Sequence, residues 1–177
     1  RAAMQDILVV VDMQNDFVDG ALGTPEAVQI VPRVVQRIQN FQGQVIFTRD
    51  THAPDYLASR EGRELPVPHC IRGSRGWEIC PELAPLCRES TVVDKPSFGS
   101  VQLGELLVKA DEQEKISSIT LIGLCTDICV ISNALLLRAF LPEAEVIVDA
   151  SCCAGVTPEK HQTALRTMRS CQIKIEQ

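Results

Sequence analysis

Residues 118–130 read Ser118-Ile119-Thr120-Leu121-Ile122-Gly123-Leu124-Cys125-Thr126-Asp127-Ile128-Cys129-Val130. The first seven are apolar or β-branched almost without interruption, which predicts a strand buried on both faces. The chain then turns polar for three residues. From there to residue 140 the apolar side chains return at helical spacing. A strand that passes directly into a helix is half of a βαβ unit, so the sheet is expected to be parallel. Working outward, the same alternation recurs. It predicts strands over 7–12, 44–48, 91–94, 118–124, 145–149 and 172–176, and helices over 25–41, 100–112, 126–140 and 157–170. Right-handed crossovers then give an α/β fold, a three-layer α/β/α sandwich around a six-stranded, mainly parallel Rossmann-like sheet. Helix punctuation agrees: Thr24-Pro25-Glu26 and Thr157-Pro158-Glu159 each set a capping hydroxyl before a proline at the first helical position. Thr126-Asp127 reads as a third start signal, Gly43 as a stop and Leu141-Pro142 as another.

The 177 residues suit one domain, expected over 4–177, with Met4 as the natural start and residues 1–3 a remnant ahead of it. Ten glycines and ten prolines are too few for a collagen or a disordered linker. No apolar run approaches the ~18 residues of a membrane span, and no secretory signal is visible. The net charge of −6, with 17 unclustered Lys and Arg, speaks against nucleic acid as a partner. The eight cysteines fall largely in apolar, core-like runs without paired C-x-x-C motifs, so they are expected to be reduced thiols in a cytoplasmic protein. Among these, Cys152, Cys153 and Cys171 read as core thiols.

In an open α/β sheet, ligands sit at the carboxyl ends of the strands. The strand exits here are polar. Strand 1 leads into Asp12, Gln14, Asn15 and Asp16; strand 2 into Arg49, Asp50 and His52; strand 3 into Asp94 and Lys95; strand 4 into Cys125, Thr126, Asp127 and Cys129; strand 5 into Asp149, Ser151 and Cys152. A 3-2-1-4-5-6 order would bring Asp12 and Cys129 face to face, on the scale of the about 4.8 Å strand spacing. A cysteine in an apolar helix is ordinarily an inert core thiol. Cys129 differs in falling within the first turn after Thr126 or Asp127, where the positive helix end is expected to lower the thiol pKa. The N–H groups of that turn can hold an oxyanion, with Cys125 supplying a second donor from its backbone. Asp12 is placed to take the thiol proton, and Lys95 to stabilise both anions. Phe17 and Phe98 follow Asp12 and Lys95 closely enough to flank a planar substrate.

The one long irregular stretch, 50–90, holds five of the ten prolines and two of the three histidines, with a short helix expected near 81–87. Within it Asp50, His52, Glu61 and His69 combine oxygen and nitrogen ligands that suit a divalent metal, Zn first and Mn or Fe as alternatives. Glu64 competes with Glu61 for the fourth position. Trp77 is expected to anchor the loop, and His161 to lie exposed on an amphipathic helix.

Asp12-Met13-Gln14-Asn15-Asp16-Phe17 resembles the D-x-Q-N-D-F entry of the isochorismatase-like cysteine hydrolases. Asp50-Thr51-His52 is similar to their D-x-H segment, Pro68-His69-Cys70 to their P-H-C, and Gly123-Leu124-Cys125-Thr126-Asp127-Ile128-Cys129-Val130 to their T-D-x-C-V signature. Lys95 falls where the family carries its catalytic lysine. The resemblance spans nearly the whole chain in family order. It implies an Asp12–Lys95–Cys129 triad, an oxyanion hole from the backbone N–H groups of Cys125 and Cys129, and a cis peptide at Leu124–Cys125. The metal motif points to the nicotinamidase branch, hence to a small-molecule amide substrate, a place in NAD metabolism, and a homo-oligomer. There the metal holds the pyridine nitrogen, the thiolate attacks the amide carbon, ammonia leaves and water cleaves the thioester. Where many nicotinamidases have a further loop histidine this chain offers Glu61, and where many have an aromatic residue before P-H-C it has Leu65 or Pro66. The competing readings are a related hydrolase acting on another small amide or ureido compound, and a non-catalytic thiol-redox protein.

Overall fold

The computed structural model describes residues 3–177; residues 1 and 2, part of the stretch read as a remnant, lie outside the described residues. In chain order the elements are β1 (Met4–Val11), α1 (Asn15–Val18), α2 (Pro25–Gln39), β2 (Gln44–Asp50), α3 (Arg60–Glu64), α4 (Ala84–Cys87), β3 (Thr91–Lys95), α5 (Val101–Gln113), β4 (Lys115–Leu124), α6 (Ile131–Phe140), β5 (Glu145–Ala154), α7 (Pro158–Ser170) and β6 (Lys174–Glu176). A π-helical turn over Thr126–Val130 joins β4 to α6. The six strands form one sheet in the order β3-β2-β1-β4-β5-β6, and every paired neighbour is parallel.

β1 shows how the layers are built. Ile7 to Val11 are all fully buried, and alternate side chains leave opposite faces of the pleat. Ile7, Val9 and Val11 join Leu103 and Leu107 of α5, Ala134 and Leu137 of α6, and Leu165 and Met168 of α7 in one core. Leu8 and Val10 join Ile30, Val31, Val34 and Ile38 of α2 in the other. The spacing of those α2 residues is that of a single helix face. The expected caps form: Thr24 accepts from the Ala27 N–H and Thr157 from the Lys160 N–H. The long stretch after β2 is broken by α3, α4 and two short 3₁₀ turns, at Tyr56–Ala58 and Arg75–Trp77.

Gly123 lets β4 and β1 approach at the switch point. Its φ is +117°, and a Cβ there would meet the Val11 carbonyl oxygen at 2.2 Å. The predicted strands stand with shifted ends: β1 begins at Met4 and stops at Val11, β2 reaches Asp50, β3 reaches Lys95, β4 begins at Lys115, β5 reaches Ala154, and β6 begins only at Lys174. No described helix is long and apolar enough to cross a membrane.

Candidate active site

Asp12, Lys95 and Cys129 meet where the order of β1 and β4 reverses. Each leaves the carboxyl end of a different part of the sheet, and all three are buried. Lys95 Nζ lies 2.7 Å from Asp12 Oδ2 and donates to Cys129 Sγ at 3.2 Å and to the Ser97 carbonyl at 3.1 Å. Asp12 has φ +50°, in the left-handed region that Asp tolerates better than most residues. Its N–H donates to the Thr48 carbonyl at 3.1 Å, and Thr48 Oγ1 donates back to Asp12 Oδ1 at 2.7 Å. That leaves Oδ2 facing Lys95 as an ion pair, with no further directed hydrogen bond among the described residues.

Burial raises the Asp12 pKa, and the Lys95 charge opposes this only in part. Burial works against charge on Lys95 as well, but the nearby Asp12 and Asp50 carboxylates outweigh it and hold the ammonium protonated. Cys129 corrects the sequence expectation. Its thiol is not activated at rest: burial pushes its pKa well up, Asp12 adds to the rise, and Lys95 only partly offsets it. A buried cluster with one cation and two carboxylates does not favour a third anion. The turn itself also differs from a helix capped by Thr126 or Asp127. Cys125 precedes it, and no side chain caps it. Thr126 Oγ1 instead pairs with His161 Nδ1 at 2.7 Å, and Asp127 Oδ1 accepts the Val156 N–H at 2.9 Å. His161 is therefore half-buried against the turn, not free in solvent as its helical pattern suggested. The Leu124–Cys125 peptide is cis, as the resemblance implied.

The four metal-ligand candidates come together. Each of Asp50, His52, Glu61 and His69 offers one ligand atom, and these atoms all lie within 4.8 Å of one another. His52 Nε2 is 2.9 Å from Asp50 Oδ2 and 3.3 Å from Glu61 Oε2; His69 Nε2 is 3.5 Å and 3.8 Å from the same two oxygens. His69 Nδ1 donates to the Val67 carbonyl at 2.7 Å, which fixes the tautomer and leaves Nε2 free as a ligand. Two imidazole nitrogens and two carboxylates, converging with one ring already oriented from behind, fit a divalent metal. Glu61 is the glutamate whose carboxylate joins this cluster; Glu64 does not, although both line the adjoining pocket. Burial disfavours a charged His52, but hydrogen bonds to Asp50 and Glu61 overcome it and push the pKa up to about 9. Burial likewise opposes charge on Asp50, and its contacts with His52, His69 and Lys95 overcome this and hold the carboxyl below its usual range. Asp50 also joins the two clusters, with Oδ1 3.4 Å from Lys95 Nζ.

Several supports carry no chemistry that sequence reasoning could name. Gln14 is fully buried; its amide donates to the Asp50 and Trp77 carbonyls at 2.8 and 2.9 Å and accepts the Asp50 N–H at 2.8 Å. Asp16 Oδ2 accepts the Cys70 N–H at 2.8 Å. Tyr56 packs on both metal-site histidines and donates to the Leu65 carbonyl at 2.8 Å. Gln14 and Asp16 stand out in the sequence by their place at the exit of strand 1 and in the D-x-Q-N-D-F motif; nothing in the sequence marks Tyr56. Trp77 anchors the loop as expected, its indole N–H donating to Thr51 Oγ1 at 2.9 Å.

Cys129 lines a pocket of about 140 Å³ together with Phe17, Leu22, Leu65, Phe98 and Ile128, and with the polar Asp50, Glu61 and His69. This is well under the ~300–1,000 Å³ typical of drug-sized ligands, so it suits a single small ring. Both flanking phenylalanines thus reach the site. All eight cysteines are unpaired. Cys152 and Cys153 are core thiols as read, whereas Cys171 is exposed because it caps the end of α7.

A parallel three-layer sandwich with an Asp–Lys–Cys cluster at its switch point and a two-histidine, two-carboxylate cluster beside it defines the class of protein. The isochorismatase domain family matches residues 6–176, and the chain belongs to that family. Among solved structures, it is similar to the pyrazinamidase of Pyrococcus horikoshii in complex with zinc, with 29% identity, TM-score 0.83, and 98% of this chain and 99% of that chain covered. The nicotinamidase/pyrazinamidase of Bacillus subtilis aligns at 28% identity and TM-score 0.81, over 98% of this chain and all of that one, 100%. The N-carbamoylsarcosine amidase of Thermoplasma acidophilum aligns at 27% identity and TM-score 0.80, over 98% and 96% of the two chains.

Proposed function

We propose that this chain hydrolyses nicotinamide to nicotinate and ammonia through a thioester on Cys129. The enzyme is a C–N hydrolase of the isochorismatase family. The observation that carries the finer reading is that Cys129 and three members of the His/carboxylate cluster, Asp50, Glu61 and His69, line one small apolar pocket. A flat ring with an amide at one edge and a basic nitrogen at the other offers one group to the sulfur and one to the cluster. Asp50, His52, Glu61 and His69 would hold a divalent ion, with zinc the first candidate. When bound, that ion supplies a Lewis-acid contact for the ring nitrogen.

The chain's own groups carry the rest. Cys129 rests as a neutral thiol, so attack on the amide carbon needs a base. Asp12 Oδ2, raised in pKa and without a directed hydrogen bond among the described residues, takes the proton as the S–C bond forms. Lys95, 3.2 Å from Sγ, stabilises the thiolate character that develops. The backbone N–H groups of Cys125 and Cys129 receive the oxyanion. Asp12 returns the proton to nitrogen, and the C–N bond breaks to release ammonia. Water then attacks the thioester with Asp12 again as base, giving the acid and the free thiol.

Ammonia release from nicotinamide by metal-loaded protein, with Cys129→Ala as control, tests the reading. Release that vanishes in the variant supports it. No release from protein that holds metal and a reactive Cys129 would move the substrate elsewhere. The second reading is another small amide or ureido compound. It is favoured by the aliphatic Leu65 on the pocket wall and by the likeness to an N-carbamoylsarcosine amidase. A screen of such compounds for ammonia release separates the two.

A further inference from the structure

Asn133, on α6, is fully buried and takes no part in the chemistry above. Its side-chain amide is nevertheless used on all sides. Oδ1 accepts the Ser100 N–H at 2.9 Å, while Nδ2 donates to the Phe98 carbonyl at 3.0 Å and to the Cys129 carbonyl at 2.8 Å. A buried amide is costly unless paired, so three good bonds fix both its own position and that of its partners. Those partners belong to two separate parts of the site. Phe98 and Ser100 lie in the segment between β3 and α5, directly after Lys95. Cys129 lies on the π-helical turn. They are 33 and 35 residues from Asn133 in one case and four in the other.

The bland account is a buried staple that pins a loop to a helix. The loop does lie on α6: a Cβ on Gly99 would stand 3.4 Å from Leu136 Cδ2. What this account omits is which groups are joined. Phe98 and Cys129 line the same pocket, one as an aromatic wall and the other as the sulfur. Phe98 is 44% exposed, so packing alone holds its ring weakly. Within the loop the other tethers are Lys95 Nζ to the Ser97 carbonyl and Ser97 Oγ to the Gly99 carbonyl. Lys95 Nζ also donates to Cys129 Sγ and so ties the loop to the sulfur one peptide earlier, but the Phe98 carbonyl itself is held by Asn133.

We propose that Asn133 is a positioning residue that sets the separation between the Phe98 wall and Cys129, and thereby selects flat aromatic acyl groups over small aliphatic ones. This rests on the reading of Cys129 as nucleophile and of the pocket as the acyl site. Losing the amide frees the Phe98 peptide, so the ring no longer stands at a fixed height over the sulfur. Small electrophiles, which do not touch Phe98, are then little affected.

The test is the alkylation of Cys129 by phenacyl bromide and by iodoacetamide in the metal-loaded protein, read by mass of the Cys129 peptide and normalised to a free thiol. The ratio of the two rates reports the aromatic preference. In the parent the ratio exceeds that of the free thiol. Phe98→Ala and Asn133→Ala should each lower it about five- to tenfold, the worth of one aromatic contact, while iodoacetamide alone changes little. The double variant should lose no more than either single one, since both remove the same contact. Asn133→Thr, which is smaller and cannot bridge all three partners, should behave like Asn133→Ala and serves if the latter does not fold. An unchanged ratio in the Asn133 variants, or additive losses in the double variant, would overturn the proposal while leaving Cys129 as nucleophile. A parent Cys129 that shows no aromatic preference over the free thiol would overturn the acyl-pocket reading beneath it.

Discussion

Lys95→Met replaces a fully buried ammonium by an apolar chain of similar length, and it tests the charge balance of the whole site. In the parent, Lys95 Nζ lies 2.7 Å from Asp12 and 3.4 Å from Asp50. At an effective dielectric of about 20, unit charges at those separations attract by about 6 and about 5 kcal/mol before desolvation is counted. Desolvation of the buried ions cancels much of this. Removing one partner alone, however, leaves the Asp12 carboxylate buried without a counter-charge, which typically costs about 3–5 kcal/mol. Urea unfolding of the two proteins, each loaded with the same metal, measures the loss. The pH dependence has a definite sign. Burial raises the Asp12 pKa and Lys95 partly offsets it. Without that offset the folded value climbs further above the unfolded one, which is about 3.9. Stability contributed by a raised group is full below the unfolded pKa and is lost as pH rises through the folded pKa, so the deficit of the variant should widen as pH rises above about 4. Turnover should fall as well, by about 10²–10³ in kcat, as for other single electrostatic stabilisers. A variant within about 1 kcal/mol of the parent at neutral pH, or a deficit that narrows as pH rises, would refute this account of the charges.

Two further outcomes follow from particular contacts. Glu61→Gln should weaken metal binding at least about tenfold in a chelator competition while Glu64→Gln leaves it unchanged, because only Glu61 belongs to the ligand cluster; equal effects of the two would remove Glu61 from the site. Gly123→Ala should destabilise by more than about 1 kcal/mol and lower the melting temperature by more than about 2–4 °C, since its Cβ needs both a left-handed backbone and the space of the Val11 carbonyl; an unchanged melting temperature would show that β1 and β4 can separate there freely.

The sheet was legible because its signals are local. Apolar runs such as Ile7–Val11, and the hydroxyl-proline starts at Thr24 and Thr157, depend on neighbours a few residues away. They determined the strands, the main helices and the layers, and with the polar strand exits they singled out Asp12, Lys95 and Cys129. What only the tertiary structure decided lies in contacts between distant parts of the chain. Thr48 reaches Asp12 across 36 residues, and Gln14 reaches Asp50 across the same distance. Glu61 was separated from Glu64 only when α3 set one of them against two histidine rings. His161 looked exposed by its helical spacing because that spacing cannot register a packed turn such as the one carrying Thr126. The state of the Cys129 thiol followed the same rule. Its place in the chain suggested a helix end that favours the anion, but its pKa is set by burial and by carboxylates from two other strands, which no local pattern contains.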